Sequence, residues 1–123
     1  MQTRIIFLVD SNSSSADSMV SHIERYHPTC KVKKFVSGED MMQYISIKPH
    51  LVILDYQLDA RKKGVMNAAQ VMDKIRALGF DIPVVFVSGV QDITSAMAMM
   101  EKGAKDYLFK SDNLLKEIDE AIW

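Results

Sequence analysis

Unbroken apolar runs alternate along this chain with stretches in which apolar residues recur every three or four positions. Ile5 to Val9, Leu51 to Leu54 and Ile82 to Val87 lack polar alternation, the pattern of strands covered on both faces. Cys30 to Val36 is more polar and reads as an edge strand, and Asp106 to Phe109 as a fifth strand. Ala16, Met19, Val20 and Ile23 predict a helix after a Ser-rich start that offers several N-caps. Ser37 and Asp40 resemble a capping box for a short helix through Met41, Met42 and Ile45. Ala68, Val71, Met72, Ile75 and Leu78 form the face of a third helix, closed by Gly79. In a fourth, Ile93, Ala96, Met97 and Met100 are expected inward, with Gly103 beyond its end; Leu114, Leu115, Ile118 and Ile122 mark the last. Met99 is then the outward methionine, and core filling is favoured over an adaptable docking surface. Strand and helix alternate five times, which predicts an α/β fold, a doubly wound (βα)5 three-layer sandwich with a parallel sheet and right-handed crossovers.

Composition narrows the setting more than the chemistry. The 123 residues are expected to form a single domain over 1–123, with no room for an output domain, so any effector would be another protein. With 48% apolar and 25% charged residues and a formal net charge of −1, no electrostatic footprint for direct nucleic-acid or membrane binding is present. A lone cysteine, Cys30, excludes an internal disulfide, and with His22, His27 and His50 it makes no zinc-like spacing; a buried thiol is expected. The N-terminal apolar run is far shorter than a signal-peptide core or a membrane span, so a soluble, cytoplasmic protein is expected. The last helix stops at Trp123 directly after Ile122, which suggests a boundary inside a longer chain as one expectation.

Open parallel sheets bind ligands outside the carboxyl ends of their strands, near the point where strand order reverses. There the sequence places Asp10 and Ser11, Asp55, Ser88 and Lys110. Any one of these is more often a turn former or a solvated charge. Two acids, a hydroxyl and an ammonium together suit phosphoryl transfer, with a carboxylate as nucleophile and a divalent cation, Lys and Ser on the phosphoryl oxygens. No glycine-rich phosphate loop or nucleophile elbow occurs, and no histidine follows a strand where it could act as a base.

In "FLVD", "VILDYQL", "VVFVSG" and "GAKDYLFK" the sequence resembles the receiver domain of two-component response regulators, over essentially its whole length. The resemblance implies a flavodoxin-like, chemotaxis-regulator-like fold with strand order 2-1-3-4-5. It also implies that Asp55 accepts phosphoryl from a sensor histidine kinase or a phosphotransfer protein, with Mg2+ held by Asp10, Asp55 and the backbone carbonyl of Gln57. Ser88 and Tyr107 match the pair that couples phosphorylation to the surface of the fourth helix, fifth strand and fifth helix, the hydroxyl turning to the phosphoryl group and the ring swinging inward. Lys110 matches the lysine that bridges to the phosphoryl oxygens. The implied output is altered binding of a downstream protein, possible dimerisation on phosphorylation included.

Departures from the family pattern sharpen the expectations. Ser11 stands where a second acid is usual, which leaves the metal two carboxylates and a weakened site. The loop after Asp55 is about five residues longer than the common form; it has Asp59 in place of Pro, and its Arg61, Lys62 and Lys63 read as a solvated face before a partner-reading one. Asn67 and Ala68 replace Asp-Gly, and Ser111 after Lys110 replaces Pro, so a cis bond is not assumed there. Ser11 also motivates an alternative, a pseudo-receiver that binds its partner without phosphorylation. A small Asp-nucleophile phosphatase fits less well, because neither Asp10 nor Asp55 is followed two residues on by a second acid.

Overall fold

Leu51–Asp55 is buried at every residue, and so is Val84–Ser88, because each strand lies inside a sheet with helices on both sides. The computed structural model describes residues 2–58 and 65–123. Its elements run β1 (Arg4–Val9), α1 (Ser13–Tyr26), β2 (Cys30–Phe35), α2 (Gly38–Met42), a 3-10 turn at Ile45–Ile47 and β3 (Leu51–Asp55). They continue through α3 (Ala68–Ala77), β4 (Val84–Ser88), α4 (Ile93–Glu101), β5 (Asp106–Phe109) and α5 (Leu114–Ala121). The strands form one parallel sheet in the order β2-β1-β3-β4-β5, the flavodoxin-like arrangement.

Alternate residues of each central strand feed opposite cores. Phe7, Val52, Leu54, Val84 and Phe86 pack with Met41, Val71, Met72, Ile75 and Met99 of α2, α3 and α4. Ile6, Leu8, Ile53, Val85 and Val87 pack with Ala16, Met19 and Ile23 of α1 and Ile118 and Ala121 of α5. Cys30 is buried in the second core. Gly79 and Gly103 follow α3 and α4 with φ of 78° and 95°, the left-handed conformation that suits glycine after a helix.

Local details differ from the sequence reading. The cap of α1 is Asn12, whose side chain accepts from the Ser15 N–H, in place of one of the serines. Ser37 does cap α2, but the helix ends at Met42 and Ile45 reaches the core from the 3-10 turn. Leu78 is the C-cap of α3 and is exposed, because the chain has left the helical face by then. The largest correction is α4, where Met99 is 3% exposed while Ile93, Met97 and Met100 are 71%, 60% and 44% exposed. This helix is apolar nearly all round, so two stripes fit a helical period. The one that docks pairs Met99 with the small Ala96, which is packed against the first core.

Candidate functional site

Strand register assembles the site. Val9 pairs with Leu54, so Asp10 and Asp55 leave the sheet side by side; Asp55 pairs with Val87 and Ser88 with Phe109, which sets Ser88 and Lys110 along the same rim. Of the five residues anticipated at the strand ends, Asp10, Asp55, Ser88 and Lys110 therefore line one rim. Asp10, Asp55 and Ser88 are buried, while the Lys110 side chain is partly exposed.

The two acids are fixed by the chain that follows them. Asp10 Oδ1 accepts from the Asn12 N–H at 2.8 Å, and Asp55 Oδ1 accepts from the Gln57 N–H at 2.9 Å. Their other oxygens face Lys110 Nζ, at 3.7 Å for Asp10 Oδ2 and 3.3 Å for Asp55 Oδ2. Burial, and next the adjacent Asp10 carboxyl, raise the Asp55 carboxyl above its ordinary range; the Gln57 N–H and the Lys110 charge oppose that rise. Asp10 Oδ2 is buried and has no hydrogen-bond partner among the described residues. Two crowded carboxylates, one of them with an oxygen that lacks a hydrogen bond, set against one ammonium, make a donor set that fits a small hard cation such as Mg2+. Ser11 is exposed beside them.

Gln57 enters in a way the sequence did not signal. Its side chain donates to Ser88 Oγ at 2.8 Å and accepts from the Gly89 N–H at 2.8 Å. Ser88 Oγ also donates to the Val90 carbonyl at 2.9 Å. The Tyr107 ring lies inside, 8% exposed, against Tyr56, Phe86 and Phe109. Burial pushes its phenol above the usual range, and its hydroxyl has no hydrogen-bond partner among the described residues.

The histidines lie away from this rim. His22 and His27 both reach Asp119 Oδ1 through Nε2, at 2.9 Å and 2.8 Å, and His50 Nδ1 accepts from the Ile5 N–H. Partial burial pushes the Asp119 carboxyl up, but the hydrogen bonds from His27 and His22 outweigh it and hold the group below its usual range. Asn67 closes a full capping box with Gln70 at the start of α3, which accounts for its place there. No peptide bond is cis among the described residues. Asp59, Arg61, Lys62 and Lys63 lie outside the described residues.

A parallel sheet of this order thus carries two acids, a hydroxyl and a lysine at its carboxyl rim. Residues 6–121 match the family described as response regulator receiver domain, and the chain belongs to that family. Such domains are generally non-catalytic signalling modules that meet histidine kinases or phosphotransfer proteins and effector domains, and they generally bind Mg2+ through acidic residues. The chain is 26% identical to the response regulator protein TmoT of Ectopseudomonas mendocina over 98% of this chain and 54% of that protein. It therefore spans about half the length of TmoT. A receiver domain of a putative Luxo repressor protein from Vibrio parahaemolyticus superposes with TM-score 0.83 at 23% identity, covering 98% of this chain and 90% of that one. A CheY-like receiver domain protein from Methanospirillum hungatei JF-1 does so at 0.80 and 19%, covering 98% and 94%. These two likenesses speak for the fold. No described helix is long and apolar enough to cross a membrane.

Proposed function

We propose that Asp55 is the phosphoacceptor of a two-component system, and that its phosphorylation switches binding of a downstream protein in the cytoplasm. The observation that carries this reading is a buried carboxylate at the end of the central strand, with a second acid beside it and a lysine 3.3 Å away. In the reaction, an Asp55 oxygen attacks the phosphorus of a phosphohistidine on a sensor kinase or phosphotransfer protein. The new P–O bond forms as the P–N bond breaks, and the imidazole keeps the electron pair. Lys110 is placed to hold a phosphoryl oxygen, and Ser88 to donate to another once its hydroxyl turns.

Asp10, Asp55 and the Gln57 carbonyl would hold Mg2+, with affinity lowered because Ser11 brings no charge. When bound, the cation neutralises charge on the phosphoryl oxygens. The downstream surface includes the exposed apolar residues Ile93, Met97 and Met100 of α4, which reverses the expectation that these methionines fill the core. A dimer formed on phosphorylation would use the same face. The chain itself acts as a switch and not as an enzyme.

Incubation with acetyl phosphate and Mg2+, followed by intact-mass measurement, tests this reading. One phosphoryl adduct is expected on the parent chain and none on Asp55→Asn. A parent without an adduct at any Mg2+ concentration, together with a Ser11→Asp variant that gains one, would favour phosphorylation-independent binding instead.

A further inference from the structure

We propose that the Gln57 carboxamide is a latch that holds Ser88 in its resting arrangement, so that Gln57 is a positioning residue for the switch. The inference rests on the reading of Asp55 as phosphoacceptor and adds a device that sets the resting equilibrium. A serine hydroxyl has one proton and two acceptor sites. In Ser88 the proton goes to the Val90 carbonyl at 2.9 Å, and Oγ accepts from Gln57 Nε2 at 2.8 Å and from the Val90 N–H at 3.1 Å. Its hydrogen-bonding capacity is therefore filled without a phosphoryl group. The orientation of the carboxamide is fixed by Gly89, whose N–H can only donate and so selects Oε1, leaving Nε2 toward Ser88.

Gln57 thus grips Ser88, the last residue of β4, and Gly89, the first of the β4–α4 connection, from an exposed position outside the core. Tyr107 is already packed inward, so the aromatic half of the switch is in place while the hydroxyl half is occupied. For Ser88 to donate to a phosphoryl group on Asp55, its proton must leave the Val90 carbonyl. The two Gln57 bonds hold the turn that keeps this carbonyl within reach. Removing them frees the turn and moves the population toward the phosphoryl-ready arrangement, which an incoming group then binds with less opposition. A carboxamide that instead served the phosphoryl group directly would have the opposite effect when removed.

The sign of the effect is the test, with Gln57→Met keeping the length of the side chain and discarding both bonds. Without ligand, amide hydrogen exchange at Gly89 and Val90 should accelerate severalfold in the variant. Calorimetric titration with beryllium fluoride and Mg2+, a stable stand-in for the phosphoryl group, should show binding tightened by about threefold to tenfold, the scale of losing one or two hydrogen bonds. Affinity that is unchanged or weaker in the variant, or exchange that is unchanged, overturns the latch. If the parent chain fails to bind beryllium fluoride at all, the phosphoacceptor reading falls and the latch with it. Binding by the parent without tightening in the variant overturns the latch alone.

Discussion

Replacing Lys110 with methionine keeps most of the side-chain length and removes the ammonium that faces two buried carboxylates. Nζ lies 3.3 Å from Asp55 and 3.7 Å from Asp10. At an effective dielectric of about 20, unit charges at the shorter distance attract by about 5 kcal/mol. Desolvation offsets part of this, and removing one partner of a buried pair typically destabilises by about 3–5 kcal/mol. The Lys110 side chain is 27% exposed, and Asp55, whose carboxyl is already raised by burial, can take up a proton. Both effects lower the expected loss to about 2–3 kcal/mol above neutral pH. The loss should depend on pH with a definite sign. Asp55 titrates above its unfolded value of about 3.9. The folded state therefore binds more protons than the unfolded one in that window, and stability falls as pH rises through it. Without Lys110 the folded value moves further up, so the deficit of the variant is small below the parent's folded value and widest above the variant's. Urea unfolding of parent and variant across this range measures it, and added Mg2+ should recover part of the loss. A deficit that is flat with pH, or absent, would refute the picture of carboxylates held together by Lys110.

The packing of α4 can be checked by truncation, since Met99→Ala should destabilise by about 2–5 kcal/mol in chemical unfolding, whereas Met97→Ala should stay within about 0.5 kcal/mol. The reverse order would restore the inward face expected from periodicity. Asp119→Asn should lower stability at neutral pH by about 1 kcal/mol or less, because the group is partly solvated. Asp119 is depressed in the folded state, so its contribution is present above the unfolded carboxylate value and is lost as pH falls through the folded one. Parent and variant should therefore converge in acid, and a difference that persists there would exclude the histidine pairing as its source.

The fold was legible because both-face burial leaves a strong mark in composition. Leu51–Asp55 and Val84–Ser88 carry no solvent-facing position, and the helices between them repeat at the expected period. The rim of the sheet followed from those strand ends, so the positions of Asp10, Asp55, Ser88 and Lys110 along it were legible without a structure. In α4 periodicity failed for a physical reason. A helix with apolar residues all round offers more than one docking stripe, and only the fit of Ala96 and Met99 against the sheet selects between them. Gln57 was missed as a side chain because its partners, Ser88 and Gly89, lie about thirty residues away, and no local pattern encodes a bond across neighbouring strand ends. The inward ring of Tyr107 was likewise set by Phe86, Tyr56 and Phe109 acting together, not by its own position in the chain.

The central claim, that Asp55 receives the phosphoryl group, is tested most directly by locating the modification. After phosphorylation by acetyl phosphate with Mg2+, borohydride reduction converts an aspartyl phosphate to homoserine, and peptide mass mapping identifies the residue. Homoserine at position 55, dependent on the phosphodonor, is the expected result. Homoserine at Asp10 instead of Asp55, or no reduced residue in a chain shown to be folded, would contradict the account.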